Sequence, residues 1–198
     1  DPVTQGAFGA IFAQTVSKRK KYLAGALLGC LAGLSADLDI LIRSSSDPLL
    51  RLEFHRQFTH SLIFIPFGAL IVALCTRFIF KKYLDWKDTL IMCFFGYATH
   101  GLLDSCTSYG TQLFWPFSNQ RIAWNNVSII DPLLTIPIIV FIILTILKRK
   151  KWIALIGVSY IFLYLGFGLF QNYRAEEAGR FLAKERGHDS DNLTVKPS

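Results

Sequence analysis

The 198-residue chain is 52% hydrophobic, 14% aromatic and only 18% charged, with a mean hydropathy of +0.39; an ordinary soluble domain carries about 25% charged residues and could not hide so much apolar surface. Its net charge of +7 does not describe a nucleic-acid binder, because the Lys and Arg residues fall in short clusters between apolar runs, with no basic groove interleaved with aromatics. Cys30, Cys75 and Cys93 sit inside apolar stretches, where a thiol acts as a small hydrophobe, so with Cys106 they form neither a disulfide framework nor a zinc ribbon.

In chain order, Asp1–Val16 is apolar after Gly6 and opens on Asp-Pro, a helix N-terminus signal. It is short, and fits a thin span, a re-entrant helix or an interfacial one. The first 17 residues lack a basic n-region, so no cleavable signal peptide is expected. Tyr22–Ile42, Ser61–Phe80, Ile129–Leu147 and Trp152–Phe170 each approach the roughly 20 helical residues that cross a bilayer core. A fifth segment, Thr89–Cys106, is marginal and carries His100 and Asp104 near its end. The pattern predicts an all-α polytopic transmembrane bundle of five spans plus a short N-terminal apolar helix. Beyond Gln171 the sequence turns polar; its first part reads as a helix leaving the membrane, and Leu193-Thr194-Val195 is strand-like. The stretch 174–198 is expected to be an outward-facing tail that begins a longer C-terminal region.

Charge sets the expected orientation. Four basic residues lie in each of Lys18–Lys21, the set Arg77, Lys81, Lys82 and Lys87, and Lys148–Lys151. The alternate connections hold Arg43, Arg51 and Arg56, and then Arg121 alone. Under the positive-inside rule the basic connections face the cytoplasm.

That orientation puts Asp37, Asp39, His55, His60, His100, Asp104 and Asp131 together at the outer ends of four segments. Any one of them would ordinarily be an interfacial anchor or a helix cap. Seven on one side make a ligand set suited to a divalent metal, with zinc preferred over manganese or iron, and with carboxylates able to bridge two ions around an activated water. His100 and Asp104, four residues apart on a helix, can point at one metal. Asp37 and Asp39 are about 200° apart on an unbroken helix, so joint ligation requires the helix end to unwind; otherwise one ligates and the other supports it. Thr59 is placed to cap the following span and set His60 in its first turn. Arg43, Arg56 and Arg121 lie beside the cluster and could hold a phosphate. Phe114, Trp115, Phe117 and Trp124 read as an aromatic belt at headgroup level. No Gly-x-Ser-x-Gly elbow, P-loop or dinucleotide fingerprint is present.

These residues carry a resemblance. Asp1-Pro2-Val3-Thr4-Gln5-Gly6, Asp37-Leu38-Asp39, His55-Arg56-Gln57-Phe58-Thr59-His60-Ser61, His100-Gly101-Leu102-Leu103-Asp104 and Ile130-Asp131-Pro132-Leu133 resemble the YdjM-like family of bacterial membrane-bound metal-dependent hydrolases. The resemblance implies metal ligation by Asp37, Asp39, His55, His60, His100 and Asp104, with Asp131 as a further candidate. One position departs: family members commonly have His where this chain has Gln5, and an amide is a poor zinc ligand. A fainter similarity links the family to zinc phospholipase C and P1-type nucleases, which hydrolyse phosphate esters.

The resulting expectation is a membrane hydrolase domain over 1–173, multi-pass in the bacterial inner membrane, with its site facing outward. It would hold one or two divalent ions and act on a phosphoester of a lipid or other amphiphile, with Asp39, Arg56 and Arg121 as candidate catalytic residues. The rival readings are a non-catalytic metal-binding or transport protein, which would place ionisable groups at mid-depth in several spans, and a structural protein whose polar cluster only joins helices.

Overall fold

The computed structural model describes residues 1–42, 55–189 and 193–197. Six α-helices lie among them: α1 (Pro2–Val16), α2 (Tyr22–Ser35), α3 (Ile65–Phe80), α4 (Trp86–Cys106), α5 (Pro132–Lys148) and α6 (Lys151–Glu185). Short 3₁₀ turns cover Ala36–Leu41, Phe58–His60 and Leu62–Phe64. The chain is all-helical; among the described residues the β-type pairing seen is an isolated bridge between Thr111 and Ile122, and residues 193–197 form no strand.

Helix α1 is the centre of the bundle. Its Asp1 side chain accepts from Val3 N and Thr4 N, and Pro2 opens the first turn, so the helix starts cleanly. Nearly all of Thr4–Gln14 is buried. A helix apolar on every side has no solvent face and belongs inside. It stands between two cores, one of Leu28, Ala69, Met92 and Tyr97 around its C-terminal half, the other of Ile11, Leu103, Leu134 and Ile161. The interfacial reading of this segment gives way to a buried axial helix, whose Thr4 meets Thr135 near the start of α5 and whose Gln14 donates to Ile142 O in its last turns.

Glycines bring α1, α2 and α4 to backbone contact. Gly25, Gly29 and Gly33 repeat every fourth residue along α2. A Cβ at Gly29 would lie 2.3 Å from Gly9 O, one at Gly33 2.7 Å from Gln5 O, and one at Gly96 2.7 Å from Gly29 O. Such small-residue faces substitute dispersion contacts for the hydrophobic driving force that helices lack in lipid.

Among the described residues three helical stretches are long and apolar enough to cross a membrane: Tyr22–Leu41, Leu62–Phe80 and Lys151–Glu185. Two of the five expected spans fall short of that standard for identifiable reasons. Helix α5 is held to 17 residues, about 25 Å, by its Asp131 cap and by Arg149 in the left-handed conformation. Helix α4 has 21 residues, but Lys87, Asp88, His100 and Asp104 dilute its apolar character. Helix α6 runs unbroken past Arg174 to Glu185.

The helices run antiparallel in succession, so the Lys18–Lys21, Lys81–Lys87 and Lys148–Lys151 connections share one end. There Asp88 accepts from Lys18 Nζ (3.0 Å) and Lys21 Nζ (2.6 Å), clasping α4 to the α1–α2 turn. The opposite end gathers the N-termini of α1 and α5, the C-termini of α2 and α4, and the turns before α3.

The glycine contact makes a signed prediction. Gly166, with nothing within 4 Å of an added Cβ, gains helix propensity of about 0.5–1 kcal/mol on substitution by Ala. Gly29→Ala gains the same propensity but forces backbone apart, at about 1–3 kcal/mol or more. Thermal unfolding in detergent should show Gly29→Ala melting below the parent and Gly166→Ala at or above it; equal melting of the two variants contradicts the contact.

Candidate metal centre

Helix α2 does not continue regularly through Asp37 and Asp39. It tightens into the Ala36–Leu41 3₁₀ turn, whose smaller angular step lets both carboxylates reach the same region, Asp39 buried and Asp37 about half-exposed. The Phe58–His60 turn brings His60 against α4, where a Cβ at Gly101 would lie 2.1 Å from His60 O. Helix α4 presents His100 and Asp104 one turn apart on its buried face.

Asp37, His60, His100 and Asp104 offer ligand atoms all within 4.8 Å of one another. His60 Nε2 is 3.3 Å from Asp104 Oδ2 and 3.5 Å from Asp37 Oδ1; His100 Nε2 is 3.2 Å from Asp37 Oδ1 and 3.7 Å from Asp104 Oδ2. A tetrahedral zinc with N and O ligands at about 2.0–2.2 Å spaces them about 3.3–3.6 Å apart. His60 Nε2 and Asp104 Oδ2 are buried without a hydrogen-bond partner. Facing ligand atoms at this spacing, with Asp104 Oδ2 held by an ion pair to Arg56 Nε and not by a hydrogen bond, fit a divalent cation.

Hydrogen bonds to the far ring nitrogens orient both imidazoles. His100 Nδ1 contacts Gly33 O at 2.5 Å; a carbonyl only accepts, so Nδ1 carries the hydrogen and Nε2 keeps its lone pair for the centre. Thr59 Oγ1 donates its one hydrogen to Asp39 Oδ2 (2.8 Å) and lies 2.9 Å from His60 Nδ1. It must accept from Nδ1–H, which again leaves Nε2 inward. This is the arrangement that fixes tautomer and basicity in ligating histidines. Tyr97 Oη donates to Thr59 O at 2.9 Å and anchors the turn. Thr59 thus supports the centre instead of capping α3, which Ser61 and a further 3₁₀ turn precede.

Asp37, Asp39 and His55 form a second group with the same mutual reach, and Asp37 belongs to both. Asp39 Oδ1 accepts from His55 Nδ1 at 2.8 Å, while its Oδ2 also accepts from the Arg56 amide. Arg56 adopts φ +62°, which turns the chain back between the two histidines.

Residues 1–175 match the family model described as YdjM inner membrane protein. The chain belongs to the YdjM family. A curated relative, described as "Uncharacterized protein YfhP" of Bacillus subtilis (strain 168), is 26% identical over 111 residues, 56% of this chain. The match takes in 33% of that protein, so the chain spans about a third of its relative's length. No solved structure matches.

In this YdjM-family chain the remaining sequence-designated residues surround the two groups. Arg56 Nε lies 3.1 Å from Asp104 Oδ2, with the guanidinium over the Tyr109 ring and bonded to Thr107; it is buried and engaged with Asp104. Arg121 is exposed and donates to His55 O (3.3 Å) and Gly110 O (3.4 Å). Arg43 falls outside the described residues. Asp131 lies outside both groups: it caps α5 through Leu134 N and accepts from Tyr164 Oη at 2.8 Å, the capping role that Asp-Pro alone would imply. Gln5 is buried, donating from Nε2 to Asp104 Oδ1 at 2.7 Å, so position 5 supports a ligand from α1. The Trp115 ring lies tilted against Phe58, while Phe114, Phe117 and Trp124 are exposed. Gly33, Tyr97 and Tyr109 support the centre through contacts between distant segments, which sequence spacing does not carry; for Gly33 the signal is the Gly every fourth residue along α2, ending one turn before Asp37.

Burial disfavours a charged His60, but the carboxylates of Asp104, Asp37 and Asp39 outweigh it and push its pKa up to about 10. A proton favoured there by the carboxylates competes with a cation for Nε2. Zinc affinity should rise by about tenfold per pH unit between pH 6 and 8 from this group alone, read by competition titration; a flat profile contradicts the ligand role of His60. Thr59→Val removes the hydroxyl that holds Asp39 and the His60 tautomer, and should weaken zinc by about 10- to 100-fold without loss of helicity. Unchanged affinity would reduce Thr59 to a turn residue.

Proposed function

We propose that this chain is a membrane-bound, metal-dependent hydrolase of phosphoesters, with its centre on the outer face of the inner membrane. The observation that carries the reading is the pair of ligand groups sharing Asp37, with inward nitrogens already oriented and a partly open side. Buried ligands gathered at one end of a bundle suit a reaction site better than a transport path, which needs ionisable groups at mid-depth.

A divalent ion held there would supply Lewis-acid stabilisation of developing phosphoryl charge and a water of lowered pKa. The protein's own contribution is positional. His60 and His100 are held by Thr59 and Gly33; Asp104 is held from either side by Gln5 and Arg56. Asp37 and His55 are the more exposed members, at 41% and 27% side-chain exposure, so substrate approaches from their side. Arg121, bonded to the His55 carbonyl and exposed, stands at that opening as the cation for a phosphate oxygen. Arg56 acts through Asp104. A five-helix crossing with α4 and α5 embedded beside the three longer helices, and the basic connections cytoplasmic, would place this opening outward.

Zinc-loaded protein should cleave at least one member of a panel of phosphomonoesters, phosphodiesters, carboxyl esters and amides, with a phosphoester preferred. Asp37→Ala should lower that rate more than about 100-fold, beyond the loss typical of a supporting residue, while the protein remains membrane-inserted. Metal binding with no cleavage of any class would make the chain a metal carrier, and absence of binding would leave a helix-joining polar cluster.

A further inference from the structure

A cleft of about 390 Å³ opens between α2 and α3 beside the centre. Leu31 and Leu38 form one wall, Phe64, Ile71 and Val72 the other, and Tyr97 of α4 the floor. Tyr97 reaches this position because Gly68 has no side chain: a Cβ there would lie 2.2 Å from the ring. Asp39 and Thr59 line the same cleft, at the end of the bundle where both ligand groups gather.

We propose that this cleft receives one acyl chain of a membrane lipid whose headgroup lies at the metal centre, an inference that rests on the hydrolase reading and names its substrate class. Its walls belong to two of the helices long and apolar enough to cross a membrane, so the cleft is continuous with the surface that meets lipid. Leu31, Leu38 and Ile71 are each more than 40% exposed along it. Asp39 is the one carboxylate among the described lining residues, and it sits at the headgroup end. From Phe64 to Thr76 the wall extends about 18 Å at 1.5 Å per residue, close to the depth of one leaflet of a hydrocarbon core about 30 Å thick. A lipid can thus slide in sideways at its resting depth, exchanging neighbouring chains for protein walls, and bring its phosphate to Asp37 and Arg121 without leaving the membrane. A soluble phosphoester would use none of this surface.

The test uses the full chain, zinc-loaded, in phosphatidylethanolamine and phosphatidylglycerol vesicles containing a trace of phosphatidylethanolamine with a photoactivatable acyl chain. After irradiation, labelled peptides are mapped. Label on Phe64–Thr76 should exceed severalfold that on Val158–Leu163, a stretch of α6 with Phe162 and Leu163 exposed that stops short of the cleft lined by Tyr164, Phe167 and Gly168. Ile71→Trp, or Leu31→Trp should the first fail to insert, should abolish the excess while zinc content and α6 labelling stay at the parent's level. Equal labelling of the two stretches in the parent overturns the proposal, as does an excess that survives a folded cleft-filling variant. The labelling does not depend on turnover, so vesicles that cleave no phosphoester would overturn the hydrolase reading separately.

Discussion

The backbone contact among α1, α2 and α4 is the constraint on which the rest of this molecule depends. Gly9, Gly29 and Gly96 meet where any side chain would collide with a carbonyl. Because they meet, a helix of only 15 residues is drawn into the axis of the bundle, and its Gln5 reaches Asp104. The same approach sets Gly33 O against His100 Nδ1. Helix association in lipid, driven by close contact between small residues, is here also the device that orients a ligand.

Charge then decides what the assembled end of the bundle can hold. Asp37, Asp39 and Asp104 crowd together with Arg56 beside them, and removing such groups from water is costly unless each is paired. A proton on His60, favoured by those carboxylates, would offset part of the excess when no cation is bound. Exchange of that proton for a divalent ion would add one further positive charge where three carboxylates converge, and would bring Arg56, the ion and the carboxylates to balance. The arrangement is therefore better matched to a doubly charged guest than to a proton.

Much of the site was legible because helical spacing is a rigid ruler. The i, i+4 relation put His100 and Asp104 on one face, and the 200° separation of Asp37 and Asp39 demanded a distorted helix end, which the Ala36–Leu41 turn supplies. What could not be read depended on contacts between distant segments. Thr59 looked like a cap from its place before an apolar run, but Asp39, 20 residues earlier, captures its hydroxyl. Asp131 counted as a ligand by its depth in the membrane, yet its neighbours are its own helix N-terminus and Tyr164. Counting apolar lengths gave α1 an ambiguous place because burial between two cores, unlike amphipathicity, leaves no periodic trace. Charge patterning separated the two ends of the bundle without difficulty, since clustered Lys and Arg need no tertiary contact to be seen.

X-ray absorption on zinc-loaded full-length protein tests the central claim most directly. The account predicts a four-coordinate shell of nitrogen and oxygen at about 2.0–2.2 Å, with outer-shell scattering from two imidazole rings that falls to one in His100→Ala. Sulfur at about 2.3 Å, or a shell without imidazole, would contradict it and assign the metal to other residues of the chain.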